Sequence, residues 1–157
     1  MSDLIDHARS MLAYNHWAND KILDAAAGLS PGNFGEVSGT MAHYVATQMY
    51  WYANWHATEA EEPSGDISFD AMRALFDKSD AALADYASKL TDDEWNRSEA
   101  WWKRWGIDAK ARVGPMIFQV IYHGIQHRAE IAMKLSENQC SPGDLDYLVF
   151  LQESAAT

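Results

Sequence analysis

Two histidines lie four residues apart in the segment HGIQHRAEI, which belongs to a longer and mostly apolar run. If this run is a helix, His123 and His127 lie on one face with Cβ atoms about 5–6 Å apart. Their imidazole nitrogens could then bind one ion at about 2.0–2.1 Å each. The spacing therefore predicts a pair of metal ligands. The alternative for so short a motif is two core histidines that each have a hydrogen-bond partner.

A third histidine, His43, lies in the segment MAHYVATQMYW, which we assign to a different helix. Metal sites in helical bundles are built from side chains on facing helices. Together with His123 and His127 it would supply three neutral nitrogen ligands and leave an open coordination position. Two competing motifs are absent from the sequence. No Glu is followed three residues later by His, as a di-iron carboxylate site requires, and Gly124 stands where a zincin has Glu.

Other polar residues of these helices are candidates for supporting roles. Asn15 falls on the apolar stripe of the first helix and is interpreted as a hydrogen-bonded core residue, with orientation of a metal ligand as the alternative. Arg128 is interpreted as a helix-surface residue or the partner of a carboxylate. Glu130 could be a general base, although glutamates on helices are more often solvated or ion-paired. The remaining histidines are expected at the surface or rim: His7, His16 and His56.

Apolar periodicity predicts the helices that position these side chains. The first extends from Asp3 to Ala27, and the second covers residues 40–59 and is apolar on nearly every side. A third helix begins after a cap at Ser68 and keeps its apolar stripe to Leu90. The fourth runs from Gly114 to Asn138 and has a proline near its start.

The segment between the third and fourth helices is less regular. Thr91 and Glu94 have the spacing of a capping box, which predicts a short helical turn. Residues 96–113 are rich in tryptophan and lack a helical period, so we expect a short strand pair or an aromatic lid. The predicted fold is an all-α four-helix bundle, with a short irregular or β-like aromatic insert before helix 4 and a short C-terminal helix. It forms one domain over residues 1–157.

Composition excludes several classes of protein. The chain has 157 residues, of which 48% are apolar, and 12 Lys and Arg against 23 Asp and Glu give a net charge of -11. Such a charge would repel a phosphate backbone, so nucleic acids are poor partners. Cys140 is the only cysteine, which excludes an intramolecular disulfide or a multi-thiolate metal site. No signal peptide or membrane span is evident, so we expect a cytoplasmic protein without a membrane partner.

Four segments of the chain resemble the DinB-like (YfiT/DinB) superfamily of small metal-binding four-helix bundles: YNHWANDKIL, MAHYVATQMYW, HGIQHRAEI and SPGDLDYLVFL. The resemblance implies that His43, His123 and His127 are a metal-ligating triad, with zinc or nickel as the usual ion. It also implies a homodimer. The chain departs from the family pattern at Ala129 and Glu130, where members often have glycine and glutamine, and this puts the surroundings of the site in question.

Three functions are consistent with these residues. A cation held by three neutral imidazoles would acidify a bound water, as in a metal-dependent hydrolase. The open position could instead hold a low-molecular-weight thiol, since some members of the resembled family are thiol-dependent S-transferases or isomerases. The third function is a non-enzymatic, stress-associated binding protein in which the metal is a structural clip. Structural zinc sites normally have four protein ligands, which favours a reactive site here. Tryptophans near helix 2 and the segment WWKRW could line an apolar pocket beside the metal.

Overall fold

Hydroxyl side chains begin three of the helices. Ser30, Ser68 and Thr91 have extended backbones, and each accepts a hydrogen bond from the backbone N–H three residues later. Pro31 then takes the first helical position, where its missing N–H has no intrahelical role. The second helix therefore begins at Pro31, and the prediction that it began at residue 40 was wrong. Residues 31–39 are helical despite their three glycines, because a cap and a well-placed proline outweigh the poor helix propensity of glycine.

The computed structural model describes residues 2–60, 63, 66–101 and 109–156. Within these ranges the elements are α1 Ser2–Ala26, α2 Pro31–Trp55, α3 Phe69–Lys89, α4 Asp92–Asn96, β1 Ser98–Trp101, β2 Ala109–Arg112, α5 Val113–Glu137 and α6 Tyr147–Ala155. The prediction of an all-α bundle with a small insert and a closing helix is confirmed. Among the described helices, none has the length and apolar character needed to cross a membrane.

The four long helices form a ring in which α1 and α2 each pack against both α3 and α5. Phe34 contacts Phe69 near the start of α2 and α3, and Tyr52 contacts Tyr86 near their ends, so these two helices are parallel. Helices α1 and α5 are also parallel. The α1–α3 and α2–α5 pairs are antiparallel. The end of α2 and the start of α3 therefore lie at opposite ends of the bundle.

A buried polar network joins the four long helices at the middle of the bundle. On α5, Nη1 of Arg128 lies 2.5 Å from Tyr44 Oη of α2. The same nitrogen lies 2.6 Å from Asn15 Oδ1 and 3.0 Å from Asn19 Oδ1, both on α1. Arg128 is only 2% exposed. The interpretation of Arg128 as a helix-surface residue was wrong, because neutral oxygen atoms from two other helices solvate its charge in the core.

The network continues to a buried carboxylate on α3. Asn19 donates to both oxygens of Asp80, at 2.9 and 3.0 Å. Asn15 donates to Gln48 Oε1 at 2.7 Å, and Gln48 in turn donates to the Ser79 hydroxyl at 3.0 Å. A buried cation and a buried anion are thus connected through amide side chains rather than by a direct ion pair. This arrangement gives most of the buried polar atoms a partner, although Nη2 of Arg128 is buried without one among the described residues.

The insert is anchored to the bundle by Arg97. Its guanidinium donates to the Glu94 carboxylate at 2.8 Å, to Glu99 at 2.5 Å and to the carbonyl oxygen of Trp55 at 2.8 Å. Strands β1 and β2 then pair in antiparallel register, with Trp101 opposite Ala109. The predicted strand pair is confirmed. Residues 102–108, which hold the remaining tryptophans of the expected aromatic lid, lie outside the described ranges.

Replacement of Asp80 by alanine is expected to lower the free energy of unfolding by about 3 kcal/mol. The change removes the acceptor of Asn19 and leaves Arg128 without a buried counter-charge. Urea unfolding followed by circular dichroism measures the difference. Asp77→Ala, an exposed aspartate one turn earlier on α3, is the control and should change stability little. Equal losses in the two variants would contradict a stabilising role for the network.

Candidate metal centre

The antiparallel packing of α2 against α5 brings the three predicted ligands together. The ring centroid of His43 lies 4.9 Å from that of His127 and 5.3 Å from that of His123. The two α5 rings are 4.3 Å apart. One nitrogen from each ring can be chosen so that all three lie within 4.8 Å of one another. The structure therefore assembles the histidine cluster that the sequence predicts.

The donor set fits a divalent ion. Nε2 of His123 and Nε2 of His127 are 3.1 Å apart. Two nitrogens bound to one tetrahedral ion at about 2.1 Å would lie roughly 3.4 Å apart, so these two need almost no adjustment. His43 is exposed, and one of its ring nitrogens lies within 4.8 Å of a nitrogen of each α5 histidine. Imidazole nitrogen suits both zinc and nickel.

A carboxylate contacts one of the predicted ligands, His127, at the ring edge that faces away from His123. Glu130, one turn after His127 on α5, has Oε2 only 2.8 Å from His127 Nδ1. An ionised carboxylate can only accept, so Nδ1 carries the proton and Nε2 presents its lone pair. That lone pair points to the side of the ring where His123 lies. From the sequence, Glu130 could be a general base, a solvated side chain or an ion-pair partner. In the structure its carboxylate contacts His127.

Burial sets the protonation state of His123. Its pKa is lowered to about 4, first because burial disfavours the charged imidazolium and then because His127 and His43 would repel it. This ring is consequently neutral near pH 7, as a ligand must be. His43 lies at the solvent side of the cluster. The cluster thus has a partly buried side on α5 and an exposed side on α2.

The polar network forms the floor of the centre. The Tyr44 ring centroid lies 6.3 Å from the ring centroids of both His123 and His127. Burial raises the pKa of Tyr44 to about 12, so its hydroxyl stays protonated. A Cβ atom at Gly124 would lie 2.6 Å from Tyr44 Oη, so α5 can approach the network only with glycine there. The close approach at Gly124 was not predicted from the sequence, although a glycine inside a helical run is itself a signal of close packing.

Asn15 and the remaining histidines do not belong to the histidine cluster. Asn15 is confirmed as a hydrogen-bonded core residue through its contacts with Gln48, Tyr44 and Arg128. His16 contacts Asp80 at 3.2 Å, and this hydrogen bond raises its pKa. Three histidines are exposed, as expected: His7, His16 and His56.

An apolar cavity of about 360 Å³ lies along the same α2–α5 groove. It starts one turn before His123, at Gln119, and reaches Trp51, two turns beyond His43 or about 12 Å along the α2 axis. Its lining residues are Trp51, Trp101, Ala111, Pro115, Met116 and Gln119. The expected apolar pocket near helix 2 is present, and Trp101 is the described part of the insert that lines it.

The fold and site define a small helical-bundle protein with a cluster of three histidines between two antiparallel helices. A model of the DinB family matches residues 1–155, almost the entire sequence. The chain belongs to the DinB family. No curated protein is similar enough to the chain to count as a relative.

Alanine at His43, His123 or His127 is expected to abolish stoichiometric binding of zinc or nickel, because each change removes one of three ligands. Elemental analysis of protein purified without an affinity tag gives the metal content per chain. His56→Ala provides the control, since this exposed histidine ends the same helix that carries His43. Full metal content in the His43→Ala protein would show that the three-histidine site is wrong.

Chelation is expected to lower the melting temperature at pH 7.5 and to have little effect at pH 5. Each ligand must be unprotonated, so protons compete with the ion as the pH falls through the ordinary histidine pKa of ~6.5, while the lowered pKa of His123 keeps that ring unprotonated to lower pH. A ligand at a hundredfold excess over its Kd stabilises the native state by about 2.7 kcal/mol. Thermal melts with and without EDTA at both pH values measure the effect. A chelator effect as large at pH 5 as at pH 7.5 would argue against histidine ligands.

Proposed function

We propose that the chain is a divalent-metal-dependent enzyme that activates a nucleophile at the open coordination position of His43, His123 and His127. The observation that carries the proposal is a cluster of three ligand nitrogens that is accessible from the His43 side. Within the described ranges, no fourth His, Cys, Asp or Glu joins the cluster. A structural clip would be expected to have a closed set of four ligands.

Three neutral imidazoles leave a divalent ion with its full charge, which would bring the pKa of a coordinated water or thiol close to neutrality. The protein supports this chemistry by keeping its ligands neutral and correctly aimed. Burial keeps His123 unprotonated near pH 7, and Glu130 fixes the proton of His127 on Nδ1. Zinc and nickel are the ions that we propose.

The apolar cavity supports a substrate with an apolar or aromatic group. Such a group would contact Trp51, Trp101 and Met116, while its reactive atom reached the cluster along the groove. Gln119 lies between the cavity and His123 on α5 and offers an amide to a polar part of the substrate. The nucleophile is water in a hydrolase and a low-molecular-weight thiol in an S-transferase.

Turnover of two aromatic substrates by zinc- or nickel-loaded protein tests this proposal. An aryl ester reports hydrolysis, and an aryl halide with an added low-molecular-weight thiol reports S-transfer. We expect metal-dependent turnover of one of them and a loss of about 100-fold or more in the His123→Ala protein, since a metal supplies several kcal/mol of transition-state stabilisation.

A matched variant tests the role of the cavity. Met116→Ala should raise KM for the aromatic substrate while the metal content stays full, because Met116 lines the cavity and lies two turns from His123. If neither substrate reacts and chelation still lowers the melting temperature, the result favours the alternative function, a binding protein with a structural metal clip.

We also propose that the chain forms a homodimer, as its family resemblance implies. Helix α2 is apolar on nearly every side, but none of the large exposed apolar side chains of the described ranges lies on it. They lie on α1, α5 and α6: Leu4, Tyr122, Ile125, Met133, Leu148 and Leu151. Apolar side chains that lie together on a surface are commonly buried by self-association, and three of these six lie on one helix, α5. Light scattering at micromolar concentration should give twice the chain mass, and a monomeric mass would contradict the proposal.

A further inference from the structure

We infer that Glu130 is a positioning residue for metal binding, which fixes the tautomer and orientation of His127 and increases its strength as a ligand. The inference rests on the proposed three-histidine site. Its basis is a contact in this chain, in which the Glu130 carboxylate meets Nδ1 of His127.

The geometry decides which nitrogen of His127 is free. Glu130 Oε2 lies 2.8 Å from Nδ1, while Nε2 lies 3.1 Å from Nε2 of His123. A neutral imidazole has one proton, and a carboxylate acceptor holds that proton on Nδ1. Without the carboxylate the proton can move to Nε2, and that tautomer cannot bind the shared ion through Nε2. Glu130 therefore removes a competing state of the ligand.

The same geometry disfavours Glu130 as the general base of the site. The carboxylate contacts the Nδ1 edge of the imidazole, so the ring of His127 lies between it and the cluster. The Glu130 side chain is 59% exposed, whereas the His127 side chain is only 18% exposed. Glu130 thus acts on the site through His127 rather than on a substrate.

A charged acceptor does more than fix the tautomer. An ionised carboxylate makes a stronger hydrogen bond than a neutral amide, and it increases the basicity of the imidazole that donates to it. Loss of such a partner in other metal sites costs about 10–100-fold in metal affinity. We therefore expect Glu130→Ala to weaken binding by about 10–100-fold. Glu130→Gln keeps a hydrogen-bond acceptor but loses the charge, so its affinity should lie between those of the wild type and the alanine variant.

The test measures affinities for Zn²⁺ and Co²⁺ by competition with a chromophoric chelator. Glu137→Gln is the matched control, because Glu137 is an exposed glutamate on the same helix that pairs with Lys134. The visible spectrum of the Co²⁺ form reports the ligand geometry, which a change in helix stability alone would not alter. Melting in EDTA checks that each variant is folded, and if the alanine variant is unfolded, the glutamine variant decides the test.

A graded loss of affinity from wild type to Gln to Ala, with an unchanged Glu137→Gln control, supports the inference. Wild-type affinity and an unchanged Co²⁺ spectrum in the Glu130→Ala protein would overturn it and leave the proposed metal site intact. A wild-type protein that binds neither ion would overturn the proposed site together with the inference.

Discussion

The buried charges of Arg128 and Asp80 impose the strongest constraint on this bundle. Neither charge can be left in a low-dielectric core without partners, and the amides of α1 and α2 are what connect them. Each of the four long helices therefore has one permitted position along the bundle axis. Tyr44 and Arg128 belong to this network, and the residues next to them in the chain are the predicted ligands His43 and His127. The position of the histidine cluster follows from the position of the network.

Such a network contributes to specificity more surely than to stability. Well-packed apolar side chains of similar volume often stabilise a core as much as a buried charged cluster does. An apolar seam, however, would permit α5 to slide by a turn against α2, and the two sides of the histidine cluster would then separate. Gly124 adds a steric condition, since α5 must come close enough for its backbone to meet Tyr44. The hydrogen bonds of the network and the close packing at Gly124 together define one position of α5 relative to α2.

The sequence was most informative where chemistry and periodicity coincided within one element. The four-residue spacing of His123 and His127 and the cap at Ser68 needed only local rules: the two rings lie side by side on α5, and Ser68 caps α3. The burial of Arg128 could not be foreseen, because charged residues are usually exposed and its partners come from two other helices. The contact of Glu130 with His127 depends on the rotamers of both side chains, which spacing alone leaves open.

The order of helices around the ring has a consequence for how the centre forms during folding. His43 and His123 are far apart in the chain, and α3, α4 and the β-hairpin all lie between them. Bringing such distant segments together requires the loop-closure entropy to be overcome first. His123 and His127 lie one turn apart, so an isolated α5 helix could bring them together. His43 joins them only when α2 has packed against α5. A site with all three histidines therefore requires that α2 and α5 have already packed against each other.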